Sequence, residues 1–238
     1  MERLDKRLAA TGRWSRKEVK ELVRQGRVAV NGRTALRPEE KCEPADELFV
    51  DGQSVRCERF TYIMLHKPDG LLSATEDKRQ RTVLDLLPQP YQKQGLFPVG
   101  RLDKDTEGLL LLTNDGELAH RLLAPKSHVD KVYLARTEGR VEEEDVLAFR
   151  QGITLGDGLE CLPAGLEPLE DGGSCLVTLR EGKFHQVKRM LAHRGKPVTY
   201  LKRLSMGSLK LDESLPKGGW RELTGAELEQ LRRDVGER

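Results

Sequence analysis

The sequence lacks the features that mark membrane, secreted and nucleotide-dependent proteins. Its 238 residues hold no apolar run near the roughly 20 residues of a membrane-spanning helix. The stretch Met1–Arg7 has no apolar core like that of a signal peptide. Neither a Gly-x-Gly-x-x-Gly loop nor a Walker loop is present. We therefore expect a cytoplasmic protein that uses no cofactor.

Cysteine and histidine are too scattered to predict a metal site. No Cys-x-x-Cys pair occurs among the four cysteines, which are Cys42, Cys57, Cys161 and Cys175. His185 and His193 lie eight residues apart without an acidic or cysteine partner, which argues against a metal site. We expect reduced thiols and no bound metal ion.

Positive charge is concentrated in two blocks, although the net charge of the chain is only +2. From Arg3 to Arg37, eleven Lys and Arg stand against three acids, and from Arg180 to Arg203 eight stand against one. Between these blocks, Glu39 to Glu58 holds seven acids and two basic residues. Such blocks are typical of surfaces that face phosphate, but also of faces that are merely solvated, so charge alone leaves both interpretations open.

The first part of the chain carries the signals of a small helix–helix–strand unit. The stretch Leu4–Leu8 places two leucines on one helical face. Ser15–Glu18 is a capping-box pattern that predicts the start of a second helix, and Gly26 predicts its end. Val28–Gly32 alternates like a strand and ends in the hairpin signal Asn-Gly.

This unit resembles the alpha-L RNA-binding module first seen in a small-subunit ribosomal protein. The matching sequence motifs are Arg3-Leu4-Asp5-Lys6, Ser15-Arg16 and Gly26-x-Val28-x-Val30-Asn31-Gly32. The resemblance implies that the second helix and its following turn contact RNA phosphates. The basic residues in position to do so are Arg13, Arg16, Lys17, Lys20, Arg24 and Arg27. The alternative is a basic amphipathic helix with only a packing role.

A polar loop followed by an apolar strand stands out in the middle of the chain. Gly100–Glu107 is polar and charged, and Leu109–Leu112 is purely apolar and precedes the turn signal Asn114-Asp-Gly. Asp103 and Asp105 are therefore expected on a loop that leads into a buried strand, where scaffolds often hold reactive groups. The alternative is a surface loop with solvated carboxylates.

This stretch resembles the signature loop of the pseudouridine synthases, most closely the RsuA branch that modifies ribosomal RNA. Gly100-Arg-Leu-Asp103, Thr106-x-Gly108-Leu-Leu and Thr113-Asn-Asp-Gly116 carry the match. The family's catalytic aspartate falls on Asp103, whereas Asp105 matches no required position and is expected to be a solvated loop residue. Earlier in the chain, His66-Lys-Pro-Asp-Gly70 stands where the family usually has Asn-Lys-Pro-x-Gly.

Two further motifs of the family match this chain. Lys131-x-Tyr133 resembles the second motif, whose tyrosine packs on the target base, although a tyrosine on a strand is commonly a core residue. The stretch from Glu181 to Ala192 resembles the third motif, and its cation that pairs with the catalytic carboxylate falls on Lys188. The alternative for Lys188 is a basic helix face that meets solvent or phosphate.

The resemblance implies an α+β protein with two domains. Residues 1–58 would form the alpha-L RNA-binding domain, and residues 59–238 the pseudouridine synthase fold, a mixed, mainly antiparallel sheet with flanking helices. Catalysis is expected from Asp103, Tyr133 and Lys188. Further RNA contacts are expected from Arg101, Lys183, His185, Arg189 and Arg203.

The implied activity is the isomerisation of one uridine, at position 516, in 16S ribosomal RNA. The motif His185-Gln-Val-Lys-Arg-Met190 resembles the small-subunit enzymes, whereas large-subunit relatives tend to have Asn-Arg at the positions of Phe184 and His185. We expect a monomer that acts on a small-subunit assembly intermediate, with no membrane partner. Two alternatives stay open: a synthase for 23S ribosomal RNA, and a non-catalytic RNA-binding assembly factor.

Overall fold

The computed structural model describes residues 1–58, 60–127 and 129–236, and the chain forms two units. The first unit comprises Met1–Thr61 and Leu84–Leu96, and the second comprises Tyr62–Val83 and Phe97–Arg238. This grouping differs from the sequence-based limits of 1–58 and 59–238 because a short internal segment joins the first unit.

The first unit is a pair of helices beside small antiparallel sheets. Its elements, numbered in chain order, are β1 (Glu2–Arg3), α1 (Leu4–Ala10), α2 (Arg16–Arg24), β2 (Val28–Val30), β3 (Arg33–Thr34), β4 (Lys41–Cys42), β5 (Leu48–Val50), β6 (Gln53–Val55) and α3 (Gln89–Gln92). Four strands form a sheet in the order β3-β2-β5-β6, and β1 pairs with β4. Ser15 and Glu18 form the predicted capping box at the start of α2, so that prediction is confirmed.

The internal segment is tied to the end of α1. The side-chain amide of Gln94 donates to the Thr11 carbonyl at 2.9 Å. Gly12 has a φ of +72°, and a Cβ there would collide with the Pro90 carbonyl, so only glycine fits this contact. The first unit is therefore completed by residues that follow the first strand of the second unit.

The second unit is built on a nine-stranded sheet. The strands of the whole unit, of which β11 and β12 lie outside this sheet, are β7 (Tyr62–Lys67), β8 (Phe97–Pro98), β9 (Glu107–Thr113), β10 (Lys131–Thr137), β11 (Ile153–Thr154), β12 (Glu160–Cys161), β13 (Gly165–Pro168), β14 (Ser174–Leu179), β15 (Val198–Met206), β16 (Leu209–Lys210) and β17 (Trp220–Glu222). Its helices are α4 (Gly116–Leu123), α5 (Glu143–Gln151), α6 (Gln186–His193) and α7 (Gly225–Asp234), with 3₁₀ turns at Val83–Leu86 and Pro125–Ser127.

The main path of this sheet runs β13-β14-β10-β15-β9-β7-β17, with β16 beside β15 and β8 beside β9, while β11 and β12 form a separate hairpin. The pairing of β15 with β9 is parallel, and the other strand pairs are antiparallel. The predicted α+β class, with a mainly antiparallel sheet, is confirmed. No helix of the described residues is long and apolar enough to cross a membrane.

Strand β9 lies inside this sheet, and every one of its residues is buried. The predicted strand at Leu109–Leu112 is thus confirmed and extends by two residues at its start. Its parallel pairing with β15 spans only Lys202 opposite Glu107 and Arg203 opposite Gly108. Gly108 has a φ of +105°, and a Cβ there would lie 2.2 Å from the Arg203 carbonyl oxygen. The close approach of the two central strands therefore requires glycine at this position.

We predict that Gly108→Ala destabilises the protein by about 2 kcal/mol or more, because it adds an atom to a backbone contact and strains a positive φ. The melting temperature should fall by several degrees, by roughly 2–4 °C per kcal/mol for a protein of this size. Gly116→Ala is the matched control, because Gly116 opens α4 and no atom lies within 4 Å of an added Cβ. An equal loss in both variants would contradict this account of the strand contact.

Candidate active site

A buried lysine holds the loop that precedes β9. Lys67 ends β7 and has no exposed surface. Its ammonium donates to three main-chain carbonyls, those of Pro68 at 2.9 Å, Lys104 at 3.0 Å and Thr106 at 2.9 Å. Burial lowers the pKa of Lys67 to about 8, but the three acceptors satisfy all three donors of its charged form. The loop is thus attached to the neighbouring strand at two of its carbonyls.

The same loop is held at a third point by Ser73. The hydroxyl of Ser73 donates to the Leu102 carbonyl at 2.9 Å and accepts from the Leu102 amide at 3.1 Å. The main chain is therefore fixed at alternate residues, 102, 104 and 106. The side chains of the residues between them, Asp103 and Asp105, take no part in these hydrogen bonds with Lys67 and Ser73. Since the backbone is fixed on both sides of Asp103, its carboxylate is preorganised.

Asp103 faces two basic side chains from the start of α6. One oxygen of its carboxylate lies 3.2 Å from the Lys188 ammonium, and the other lies 3.5 Å from Nε2 of His185. The side chains of Asp103 and Lys188 are 24% and 22% exposed, so their attraction is only partly screened by water. The sequence-predicted pair of Asp103 and Lys188 is thus brought together from positions far apart in the chain.

Asp105 lies on the loop and is solvated, as the sequence suggested, but it also has a charged partner. Its side chain is 74% exposed, but its carboxylate accepts from the Lys188 ammonium at 2.5 Å, closer than Asp103. This hydrogen bond lowers the pKa of Asp105. The contact with Lys188 was not expected. It arises because Asp103 and Asp105 are two residues apart on the loop and the Lys188 ammonium reaches both carboxylates.

The turn before α6 is unusual and rigid. His185 has a left-handed backbone, with φ +50° and ψ +33°, which strains a residue other than glycine by roughly 1–2 kcal/mol. The Gln186 side chain accepts from the Lys183 amide at 3.0 Å and donates to the buried Glu181 carboxylate at 2.6 Å. These bonds hold the strained turn and fix the direction of the His185 ring. Strain of this kind is typical of functional sites.

A small pocket lies beside this cluster. Loop, sheet and turn residues line it, among them Arg101, Asp103, Tyr133, Lys183, His185 and Leu201. Tyr133 is only 8% exposed and belongs to β10, opposite Arg203 of β15. The cavity volume is about 60 Å³, which is space for about two water molecules. A planar six-membered ring with two carbonyl oxygens is larger than this space.

The remaining predicted RNA contacts of this unit differ in their surroundings. Arg101 is exposed and free to meet a phosphate at the pocket. The ammonium of Lys183 lies 3.2 Å from the Glu181 carboxylate and also donates to the Glu160 carbonyl. Arg189 pairs with Asp157 at 2.6 Å. RNA would have to compete with these acids for both cations.

The expected RNA contact of Arg203 is wrong. Arg203 is 1% exposed, and its Nε donates to the Leu109 carbonyl at 2.8 Å. The parallel pairing of β15 with β9 ends at Arg203, after two residue pairs. Beyond that point the guanidinium provides the hydrogen-bond donor for the Leu109 carbonyl of β9. A charge cluster in the sequence could not separate this buried arginine from the more accessible basic residues of the same block.

In the first unit, the six predicted basic residues are all exposed. Two of them are paired, because Arg24 binds Glu21 at 2.7 Å and Arg27 binds Asp51 through two hydrogen bonds of 2.6 Å. No ion pair within 4 Å is found, among the described residues, for the other four, which are Arg13, Arg16, Lys17 and Lys20. These four cations are therefore the ones most available to phosphate.

Sequence reasoning missed three residues that position the site: Lys67, Ser73 and Gln186. The resemblance marked the stretch around Lys67 and the stretch around Gln186 but gave these residues no role. Ser73 carries no signal at all, because its partners are main-chain atoms. Within the described ranges, no group of three or more His, Cys, Asp or Glu side chains is placed to hold a metal ion.

Two family models match the chain. The model described as RNA pseudouridylate synthase matches residues 61–193, and the model described as S4 domain matches residues 2–48. A crystal structure of a pseudouridylate synthase is 36% identical, with a TM-score of 0.68, and the match covers 97% of this chain and 100% of that chain. The expected fold is thereby confirmed.

Full-length relatives give the same result. An uncharacterised RNA pseudouridine synthase of Bacillus subtilis is 48% identical, over 96% of this chain and 98% of the relative. The ribosomal small subunit pseudouridine synthase A of Pseudomonas aeruginosa is 41% identical, over 95% and 98%. The ribosomal large subunit pseudouridine synthase B of Bacillus subtilis is 38% identical, over 98% and 96%. The chain therefore belongs to the RNA pseudouridylate synthase family, as an RNA-modifying enzyme with an S4 domain at its N-terminus.

Proposed function

We propose that Asp103, Tyr133 and Lys188 carry out the isomerisation of one uridine in 16S ribosomal RNA. The reaction breaks the bond from N1 of uracil to C1′ of the ribose and forms a bond from C5 to C1′. The hydrogen on C5 is lost, and N1 gains a proton, so no group is transferred and nothing is oxidised. The observation that carries the proposal is the preorganised Asp103 carboxylate, which lines the pocket and lies 3.2 Å from Lys188.

Asp103 acts on the sugar. Its carboxylate either attacks C1′ or removes a proton from the ribose to give a glycal, and both routes need it ionised. Lys188 stabilises that charge when the base enters and water leaves the pocket. The fixed backbone at residues 102 and 104 holds the carboxylate in one direction, so little reorganisation is needed at the moment of reaction.

Tyr133 acts on the base. Its ring is buried in the sheet and borders the pocket, where it gives a flat face for the extruded uracil. In this proposal its hydroxyl assists the loss of the proton from C5. Because both sugar and base are inaccessible inside a helix, the nucleotide must flip out of its stack before it reaches this pocket.

The choice of 16S ribosomal RNA as the target is supported by a sequence motif that begins in the pocket lining. The motif from His185 to Met190 resembles the small-subunit enzymes, and both His185 and Gln186 line the pocket. Sequence identity alone does not choose the target, because relatives that act on the small and the large subunit are 41% and 38% identical. We propose uridine 516 as the site. The protein would act in the cytoplasm, as a monomer, on a small-subunit assembly intermediate in which that strand is still open.

The target can be tested by mapping pseudouridine in both ribosomal RNAs from cells with and without this protein. Loss of one 16S pseudouridine, restored by the wild-type gene and not by an Asp103→Asn gene, is the expected result. Loss of a 23S pseudouridine with 16S unchanged would reassign the target. It would leave the roles of the three site residues intact.

Asp103→Asn should lower the turnover number by roughly 10⁴-fold, because the variant keeps the shape but not the charge or basicity of the carboxylate. The measurement is release of tritium from RNA labelled at C5 of uridine. RNA affinity and melting temperature should be close to wild type. Lys188→Met should be impaired less than Asp103→Asn, since the carboxylate survives without its cation.

Asp105→Asn is the matched control for Asp103→Asn. It is the same substitution two residues away, beside the same lysine. Because an exposed ion pair is worth about 0.2–1 kcal/mol, the loss should be less than about fivefold. An inactive Asp105→Asn protein beside an active Asp103→Asn protein would mean that the two carboxylates have been assigned the wrong roles.

The first unit is proposed to supply RNA affinity through the exposed cations of α2. Replacing Arg16, Lys17 and Lys20 by Gln should weaken binding and reduce the slope of log affinity against log salt by about 0.7–0.9 for each lost phosphate contact. Turnover at saturating RNA should change little. As a control, Lys126→Gln with Lys210→Gln removes exposed lysines of the second unit and should leave the slope unchanged. An unchanged slope in the α2 variant would exclude these phosphate contacts.

A further inference from the structure

The ring of Phe184 is exposed next to the site and has no use in the roles described so far. It is 72% exposed. Every Phe, Tyr and Trp of the chain lies within the described residues, and all the others are buried or half-buried. Leaving a phenyl ring in water forgoes roughly 2 kcal/mol of burial energy. An exposed aromatic ring at an RNA-modifying site therefore points to a contact that forms only with substrate.

Phe184 is held in one position rather than loose on the surface. Its ring stacks on the His185 ring, with centroids 3.7 Å apart and planes 20° from parallel. The His185 backbone is fixed in its left-handed conformation by the bonds of Gln186 with Lys183 and Glu181. The strained turn thus directs two stacked rings.

The two rings differ in their relation to the pocket. His185 lines it and lies 3.5 Å from the Asp103 carboxylate, whereas Phe184 does not line it. The order outward from the reacting carboxylate is Asp103, the His185 ring, the Phe184 ring and solvent. A base stacked on the open face of Phe184 is therefore outside the pocket that takes the target uracil.

We propose that Phe184 is a stacking platform for the nucleotide next to the target uridine. When the uridine flips out, its neighbour loses a stacking partner, and the Phe184 ring replaces it. The spacing of 3.7 Å between the two rings is of the kind found between stacked bases, so the neighbour continues an existing stack. Stacking on Phe184 lowers the free energy of the RNA in which the uridine is flipped out. Because every base has a flat face, the ring can stack with any of the four bases. This proposal rests on the activity of the family and not on which ribosomal RNA is the target.

The test uses an RNA fragment around the modified uridine, with 2-aminopurine beside that uridine, on either side in turn. With Phe184→Leu, which keeps apolar bulk but removes the ring, KM should rise by roughly 5- to 100-fold while the salt slope of binding stays constant. Bound to Asp103→Asn protein, 2-aminopurine fluorescence should be quenched on one side of the uridine. Adding Phe184→Leu to that protein should remove the quenching.

Phe184→Tyr and Phe184→Trp keep a flat ring and should stay within about threefold of wild type in KM. Leu147→Ala is the control for a general loss of exposed apolar surface, because Leu147 is 47% exposed on α5, and it should behave as wild type. Wild-type KM and quenching in Phe184→Leu would overturn the proposal and would favour a protein partner for this ring. Equal losses in the Leu and Trp variants would also overturn it. If mapping places the uridine in 23S RNA, the same fragment test applies there, so the two proposals fail separately.

Discussion

The arrangement of the site depends on one buried ammonium group. Lys67 lies without exposed surface at the end of β7, and its ammonium joins three main-chain carbonyls, of which that of Lys104 also accepts from the Gly70 amide. Two of these carbonyls belong to the loop of Asp103. Because burial lowers the pKa of Lys67 to about 8, the group keeps its third proton at neutral pH and loses it just above. In alkaline solution one of these hydrogen bonds is lost, so the order of the loop that carries Asp103 depends on the protonation of a buried lysine.

The fold follows from local patterns more directly than the site does. The apolar run at Leu109–Leu112 and the capping box at Ser15 are each sufficient to predict their elements, and both are present. In contrast, no spacing rule joins Asp103 to Lys188, because they meet only through the order of strands in the sheet. That meeting was predictable only from the family resemblance. Lys67 and Ser73 could not be predicted, since their partners are main-chain atoms, which leave no mark in the sequence.

Three cations near the pocket are already paired with acids. Lys188 contacts Asp105 and Asp103, Arg189 contacts Asp157, and Lys183 contacts Glu181. Exchanging such a carboxylate for an RNA phosphate gains little free energy, because one ion pair replaces another. In the proposed function, much of the binding strength then comes from cations such as Arg16, Lys17 and Lys20 of α2, for which no ion pair is found among the described residues. Under that proposal the catalytic pocket discriminates between nucleotides without also having to supply most of the RNA affinity.

The assignment of Leu84–Leu96 to the first unit has a consequence for synthesis on the ribosome. After Thr61 the chain enters the second unit, where Tyr62–Val83 includes strand β7. Residues Leu84–Leu96 then belong to the first unit again, and the rest of the chain belongs to the second. When residue 61 has emerged, the segment that carries Pro90 and Gln94 is still untranslated, so the contacts of this segment with Thr11 and Gly12 cannot yet form. The first unit therefore cannot finish folding by itself at the stage when a contiguous N-terminal domain would. Its completion is delayed until part of the second unit exists, so the RNA-binding half and the catalytic half are made as interdependent products of a single nascent chain.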